Sequence, residues 1–404
     1  MPTPLPAQSI QTQPIPTHRL TRRELFSKAS ASTVAVLLSQ FALPELVFPG
    51  EDDEEEHVPF LKLPRVTRKM LDWETLDSWL TPQDQVFDVH HYNEPALDAA
   101  KYRLEVAGLV EKPLTLTLED VRKRAVAEEL MTLECSGNGS SPGFMGAVYN
   151  SRWTGTPLSA LLKECGVKPG ATEVVFFGHD TKNETVRKVT VEVPFGRSLS
   201  IEDAMNPRIL LAYARDGQPL ERRNGSPLRL IVPGWYGIAN VKWLRRIEVR
   251  DRRYMGRFMG RDYVTLRGER QGNEVVFVES SVARMNLKSI IARVTRRPTR
   301  NGLVPAKAYG AAWSDGTEIA KVEVKIDGGP WQSARLDKTP QSKYSWVFFS
   351  LGLGGLRPGK HVIVSRASDV NGRRQPTEKD DEIALKKTYW EAYQQVPREF
   401  ELSA

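Results

Sequence analysis

The spacing of hydrophobic positions changes twice along this chain. Residues His18-Arg19-Leu20-Thr21-Arg22-Arg23-Glu24-Leu25-Phe26-Ser27-Lys28 lead into a small and apolar stretch from Ala29 to Phe48. From about Arg65 to Arg270 short β-like runs mix with helical stretches and many turn signals. Tyr102–Leu109 alternates as a half-buried strand does, and Thr117-x-x-Asp120 marks a helix N-cap. Thr172 to Phe177 and Leu228 to Val232 are apolar enough to predict buried strands. After Met285 the texture becomes short alternating strands at 289–294, 306–313, 320–326, 346–351 and 361–368. Asp315-Gly316, Asp327-Gly328-Gly329 and Asn371-Gly372 punctuate them as tight turns. The pattern therefore predicts an α+β domain followed by an all-β immunoglobulin-like sandwich without a disulfide.

A chain of 404 residues is long for one hydrophobic core, which agrees with two domains behind a leader. The basic start and apolar stretch over residues 1–48 predict an export signal, and the Arg22-Arg23 pair resembles the twin-arginine type. That route carries proteins already folded around a cofactor, to the periplasm or another extracytoplasmic space. No small-x-small cleavage site stands out after the apolar stretch, which leaves an uncleaved membrane anchor open. Residues 49–64, with the run Glu51-Asp52-Asp53-Glu54-Glu55-Glu56, predict a solvated acidic linker. The α+β domain then covers 65–280 and the sandwich 281–404.

With 40% hydrophobic and 26% charged residues the composition is that of a soluble globular protein. The net charge of +7 suits an acidic redox partner or an anionic ligand. Basic residues interleave with acidic ones and no nucleic-acid module is present, so nucleic acid is not the expected partner. Two cysteines and six histidines exclude a disulfide framework and weigh against a zinc cluster.

The candidate chemistry starts at Cys135, where the run Met131-Thr132-Leu133-Glu134 breaks into Ser136-Gly137-Asn138-Gly139. A thiol at a strand end facing a Gly-rich turn can present a thiolate to a soft metal while the backbone approaches a bulky cofactor. Taken alone, such a Cys is more often a small core residue. Further along stand Ser151-Arg152-Trp153-Thr154-Gly155, Ile231-Val232-Pro233-Gly234 and Val241-Lys242-Trp243-Leu244. Together with Leu133-Glu134-Cys135-Ser136-Gly137-Asn138, these blocks resemble the sulfite oxidase family of molybdopterin enzymes, from about Val86 to the C-terminus.

The resemblance implies the α+β catalytic fold followed by a dimerisation sandwich, hence a possible homodimer, and a molybdenum–molybdopterin cofactor. It implies that Cys135 is the thiolate ligand of the metal and that His90, His91, Asp180, Asn224, Arg229, Asn240, Val241 and Lys242 line the cofactor site. Arg229 and Lys242 would hold the phosphate, one by a planar fork and one as a point charge. Asp262 and Tyr263 fall on the family's active-site Asp-Tyr pair, with the hydroxyl aimed at the metal oxygen, and Trp153 would wall the substrate space. No Cys-x-x-Cys-His occurs, so no haem is expected in this chain and electrons pass to a separate carrier such as a cytochrome c or a membrane redox subunit.

Sulfite-oxidising members surround their substrate with arginines, and this sequence departs there. Val89 stands at the first of those positions, Ser140 at the second and Lys386 at a third. Losing charge-assisted contacts of roughly 1.5–3 kcal/mol each would weaken sulfite binding by orders of magnitude. The expected reaction is thus oxygen-atom transfer on a small sulfur compound or oxyanion, with a protein-bound sulfane as one candidate. A sulfoxide reductase on the same scaffold and a cofactor-free exported binding protein are the competing readings.

Overall fold

Leu104 and Val106 are inaccessible to solvent while Glu105 between them is exposed, and this alternation builds the first strand of the catalytic half, Leu104–Gly108. The computed structural model describes residues 55–61, 69–141, 143–337 and 342–404. The segment read as an export signal, 1–48, lies outside the described residues, as does most of 49–64. Among the described residues no helix is long and apolar enough to cross a membrane.

Leu104–Gly108 runs parallel to Leu244–Arg250, and that strand pairs antiparallel with Glu173–Val186, so the central strand of this five-stranded sheet is covered on both edges. A second sheet runs Gln218–Pro219, Leu210–Arg215, Val148–Pro157, Ala127–Glu134, with Arg229–Ile231 also paired to Leu210–Arg215. Helices are few and short. The expected cap at Thr117 is present as a reciprocal box: the Asp120 N–H donates to Oγ1 of Thr117, and the Thr117 N–H donates to the Asp120 carboxylate, at 3.0 and 2.9 Å. The helix it opens, Leu118–Arg122, buries only Leu118 and Val121.

Beyond an antiparallel ribbon formed by Val264–Gln271 and Glu274–Ser281, the chain enters the sandwich. One sheet takes Lys288–Arg296, Val304–Trp313 and Val347–Leu356, and the other Ile319–Ile326, Gly359–Asp369 and Arg398–Leu402. Ile291, Val294, Ala308, Val322, Phe349 and Ile363 meet between them as the core. Each sheet gains an edge strand from the far end of the chain, because Glu56–Val58 pairs with Lys288–Arg296 and Phe60–Leu61 with Arg398–Leu402. The expectation of a solvated linker therefore fails over residues 55–61. Val58 and Phe60 bring apolar surface into the core, and the Glu55 carboxylate accepts from Thr295 Oγ1 and Tyr309 Oη, both at 2.8 Å.

Candidate active site

The buried strand Ala127–Glu134 ends at the turn that carries Cys135. The Cys135 N–H donates to the Ala147 carbonyl at 2.9 Å, and the Cys135 carbonyl accepts from the Asn138 N–H at 2.8 Å. Gly139 takes φ +90°, a conformation that favours glycine, and closes the turn. A Cβ at Gly137 would lie 3.6 Å from the rings of Phe144 and Tyr389 and 3.7 Å from Trp390. The half-buried Cys135 thus sits beneath an aromatic segment from the end of the chain. Trp390 stacks on Tyr263 with ring centroids 4.2 Å apart, and the Tyr263 hydroxyl meets His91 Nε2 at 2.5 Å. Burial, reinforced by the nearby Cys135 sulfur, holds the Tyr263 hydroxyl far above its ordinary pKa.

A cleft of about 530 Å³, partly open to solvent, has His90, His91, Asp180, Asn224, Arg229 and Lys242 on its polar side and Phe87, Tyr149, Phe195 and Trp243 on its apolar side. Arg229 is 3% exposed; its two terminal nitrogens donate to the carbonyls of Asn224 and Asn240 at 3.0 and 3.1 Å, while Nε finds no partner among the described residues. Lys242 donates to the Arg223 carbonyl at 2.7 Å and pairs with Asp88. Its burial lowers its pKa to about 8 against the raising effect of Asp88. Burial likewise pushes Asp180 up to about 7, and Asp180 Oδ1 finds no partner among the described residues. His91 is held down to about 4, first by burial and then by the Lys242 charge, so it is a neutral hydrogen-bonding group at neutral pH.

These are features of a site made for a ligand. One buried and one half-buried cation suit an anionic tail, and two buried polar atoms without a partner among the described residues, one a donor and one an acceptor, suit a polar ring edge. Gly225 takes φ +99°, and a Cβ there would crowd the Cβ atoms of Lys242 and Arg229 at 3.0 and 3.2 Å, so the turn beside the two cations favours glycine. Among the described residues no group of three or more His, Cys, Asp or Glu could bind a metal ion. A metal at Cys135 would need donors brought by an organic group, and the residues present fit one.

Several expected residues take other places. Trp153, expected to wall the substrate space, is fully buried beneath the Arg229 guanidinium, which lies 4.9 Å from its ring centroid. It is a platform for that cation, because it belongs to an interior strand, Val148–Pro157, flanked on both sides. Val241 is also inaccessible and contributes its carbonyl to the Leu230 N–H at 2.8 Å. Asn240 does line the cleft, and its side chain accepts from the Val232 N–H at 2.8 Å and donates to the Tyr236 carbonyl at 3.2 Å. Ser140 is exposed, and Val89 lines the cleft. The Lys386 ammonium donates to the Trp390 carbonyl at 2.7 Å, and burial lowers its pKa to about 8. His90 stands 3.9 Å from Asp88 and edge-on to Trp243, and Asp262 is paired with Arg257 at 2.6 Å.

Three participants escaped the sequence reading: Asp88 opposite Lys242, the aromatic pair Tyr389-Trp390, and the buried Lys288 behind the Cys135 turn. For Lys288 a signal was present, since a lone lysine in the apolar run Leu287-Lys288-Ser289-Ile290-Ile291 calls for a buried partner.

Comparison with known proteins places two family matches on the chain: an oxidoreductase molybdopterin binding domain over residues 91–258 and a Mo-co oxidoreductase dimerisation domain over 279–393. The chain is 32% identical over 324 residues to the mitochondrial sulfite oxidase of Rattus norvegicus, covering 74% of this chain and 58% of that one. It is 30% identical to the sulfite oxidase of Gallus gallus, with 74% and 69% covered. The chain thus spans little more than half the length of the rat relative. Among solved structures, the sulfane dehydrogenase SoxCD from Paracoccus pantotrophus superposes with a TM-score of 0.69 at 28% identity, covering 87% of this chain and 90% of that one.

Proposed function

We propose, for a chain that belongs to the sulfite oxidase family of molybdopterin-dependent oxidoreductases, that it transfers an oxygen atom to a sulfur compound and gives up the electrons to a separate carrier. The observation that carries this reading is the meeting of Arg229, Lys242, Asp180 and His91 in one cleft, with His91 bonded to Tyr263 at the edge of the Cys135 turn. In this reading Arg229 and Lys242 hold the cofactor phosphate, Asp180 and Asn224 meet the pterin edge, and Cys135 is the thiolate to the metal. When bound, the molybdenum group supplies the transferable oxygen and accepts the electron pair. Neutral His91 orients the Tyr263 hydroxyl as a donor toward the reacting atoms, and Asp262 acts on that field from its ion pair with Arg257.

One feature favours a sulfur atom carried on a larger molecule over free sulfite. Of the three positions where the family's arginines would face the anion, Val89 is apolar, Ser140 is exposed, and the Lys386 ammonium is committed to a backbone carbonyl. The name of the solved relative, a sulfane dehydrogenase, supports the same substrate class. The dimerisation domain over 279–393 supports a homodimer, the net charge of +7 favours an acidic electron carrier, and the Arg22-Arg23 leader supports export of the folded protein. We extend to the whole chain the expectation that it carries no haem.

The test is metal analysis followed by a substrate screen, in both directions, with artificial electron carriers. About one molybdenum per chain and faster oxidation of sulfane-bearing thiols than of sulfite are expected. No metal after cofactor-replete expression would leave the cofactor-free binding protein, and turnover only from sulfoxide to sulfide would reverse the reaction.

A further inference from the structure

A residue of the sandwich closes on the turn that carries Cys135. Lys288, 1% exposed, spends its three N–H bonds on Glu134 Oε1 at 2.7 Å, the Asn138 carbonyl at 3.0 Å and the Ala392 carbonyl at 2.8 Å. Glu134, itself inaccessible, also accepts from Asn138 Nδ2 and from Trp313 Nε1, both at 2.8 Å. The same Asn138 takes the Ala147 N–H at 3.0 Å, and Ala147 in turn accepts the Cys135 N–H. The Ala392 carbonyl lies just past Tyr389-Trp390, whose neighbour Glu391 donates its N–H to the Ser136 carbonyl at 2.7 Å. One ammonium from the sandwich therefore fixes the thiol-bearing turn and the aromatic segment above it to each other.

A buried ion pair of this kind is a poor device for stability alone, because apolar residues of similar volume usually serve as well or better. Its position suggests another use. Glu134 is the last residue of its strand and Cys135 follows it, so holding the Glu134 carboxylate at three points fixes the backbone there and with it the Cα–Cβ direction from which the Cys135 sulfur projects. We infer that Glu134, Lys288 and Trp313 are positioning residues through which the sandwich domain orients the Cys135 sulfur. The inference rests on the reading of Cys135 as the metal ligand.

The test uses the full chain, with and without cofactor. Glu134→Met combined with Lys288→Met removes both charges and keeps the volume, so the fold is expected to persist. Trp313→Phe removes a single hydrogen bond and leaves a ring against Trp73, on which Trp313 stacks at 5.7 Å. In the loaded protein, both variants are expected to shift the thiolate-to-metal absorption band and the EPR spectrum of the half-reduced metal. In the apo-protein, iodoacetamide should alkylate Cys135 about tenfold faster in the double variant and about twofold faster in Trp313→Phe, since the turn is then less firmly held. Wild-type spectra and alkylation rates in Trp313→Phe and in a folded double variant would overturn the inference, and if the double variant does not fold, Trp313→Phe decides alone. Cys135→Ser separates the two readings: it should abolish the absorption band, and a band that survives it defeats the ligand assignment while the alkylation rates still judge the clamp.

Discussion

The clamp on the Cys135 turn and the cleft differ in how their buried charges are answered. In the sandwich-side clamp, Lys288 spends all three N–H bonds and both Glu134 carboxylate oxygens are hydrogen-bonded. In the cleft, Arg229 Nε and Asp180 Oδ1 have no partner among the described residues, and Lys242, His91 and Asp180 have pKa values displaced by burial. Burial without a partner is costly, so the open atoms of Arg229 and Asp180 suit a ligand that answers them, while the bonded pair of Lys288 and Glu134 suits support. A satisfied network holds a turn still; an unsatisfied one is completed by what binds there.

The largest effect expected from breaking this contrast is at the reacting edge. Tyr263→Phe should lower kcat on the order of 100-fold with an unchanged melting temperature, because it deletes only the hydroxyl that meets His91. Next, Lys288→Met alone should destabilise the protein by about 3–5 kcal/mol in urea titration, since it strands the Glu134 carboxylate in the interior. Partial recovery on adding Glu134→Met would show the share of the cost due to the orphaned charge, the remainder coming from the polar groups that both side chains had bonded. On the cleft side, Arg229→Met should leave the apo-protein at least as stable but reduce cofactor retention through gel filtration about 10- to 100-fold, read as molybdenum per chain.

The smallest effect is a pH slope. Asp180, held up at about 7 from its ordinary 3.8, keeps a proton in the folded state that the unfolded chain has released, so its contribution to apo-protein stability falls as pH rises from about 4 to 7. His91, held down at about 4 from 6.5, does the reverse: the unfolded chain holds the extra proton, and stability rises over about pH 4 to 6.5. The two oppose each other in the wild type. Asp180→Asn should expose the rise and His91→Gln the fall, each with a slope of at most about 1.4 kcal/mol per pH unit in denaturant titrations. Identical profiles in all three proteins would mean that the cleft does not displace these groups.

Much of the sandwich was legible because period-2 alternation and Asp-Gly turns are local signals: the strands expected from 289 and 361 appear as Lys288–Arg296 and Gly359–Asp369. The Cys135 turn was legible for the same reason, as an apolar run broken by small residues. The cleft was not. Asp88 and Lys242 are 154 residues apart, as are Glu134 and Lys288, and no spacing rule joins such pairs; only the resemblance to a family brought Arg229, Lys242 and Cys135 together beforehand. Trp153 was misplaced because an aromatic residue beside glycine suits a lined cavity as well as an interior strand, and only the neighbouring strands decide which. The edge strands at 56–61 were hidden by the charge of the run before them.

Those edge strands bear on how the molecule comes to be assembled. Val58 faces Val294, and Phe60 faces Phe400, so one short segment is sewn to strands in both sheets that follow it much later in the sequence. The first seam cannot shut before Arg296 has left the ribosome, nor the second before Phe400, and contacts of such long range form late. Until then both sheets present bare rims that invite pairing with other chains, which makes retention of residues 55–61 in any shortened version a condition for keeping it in solution.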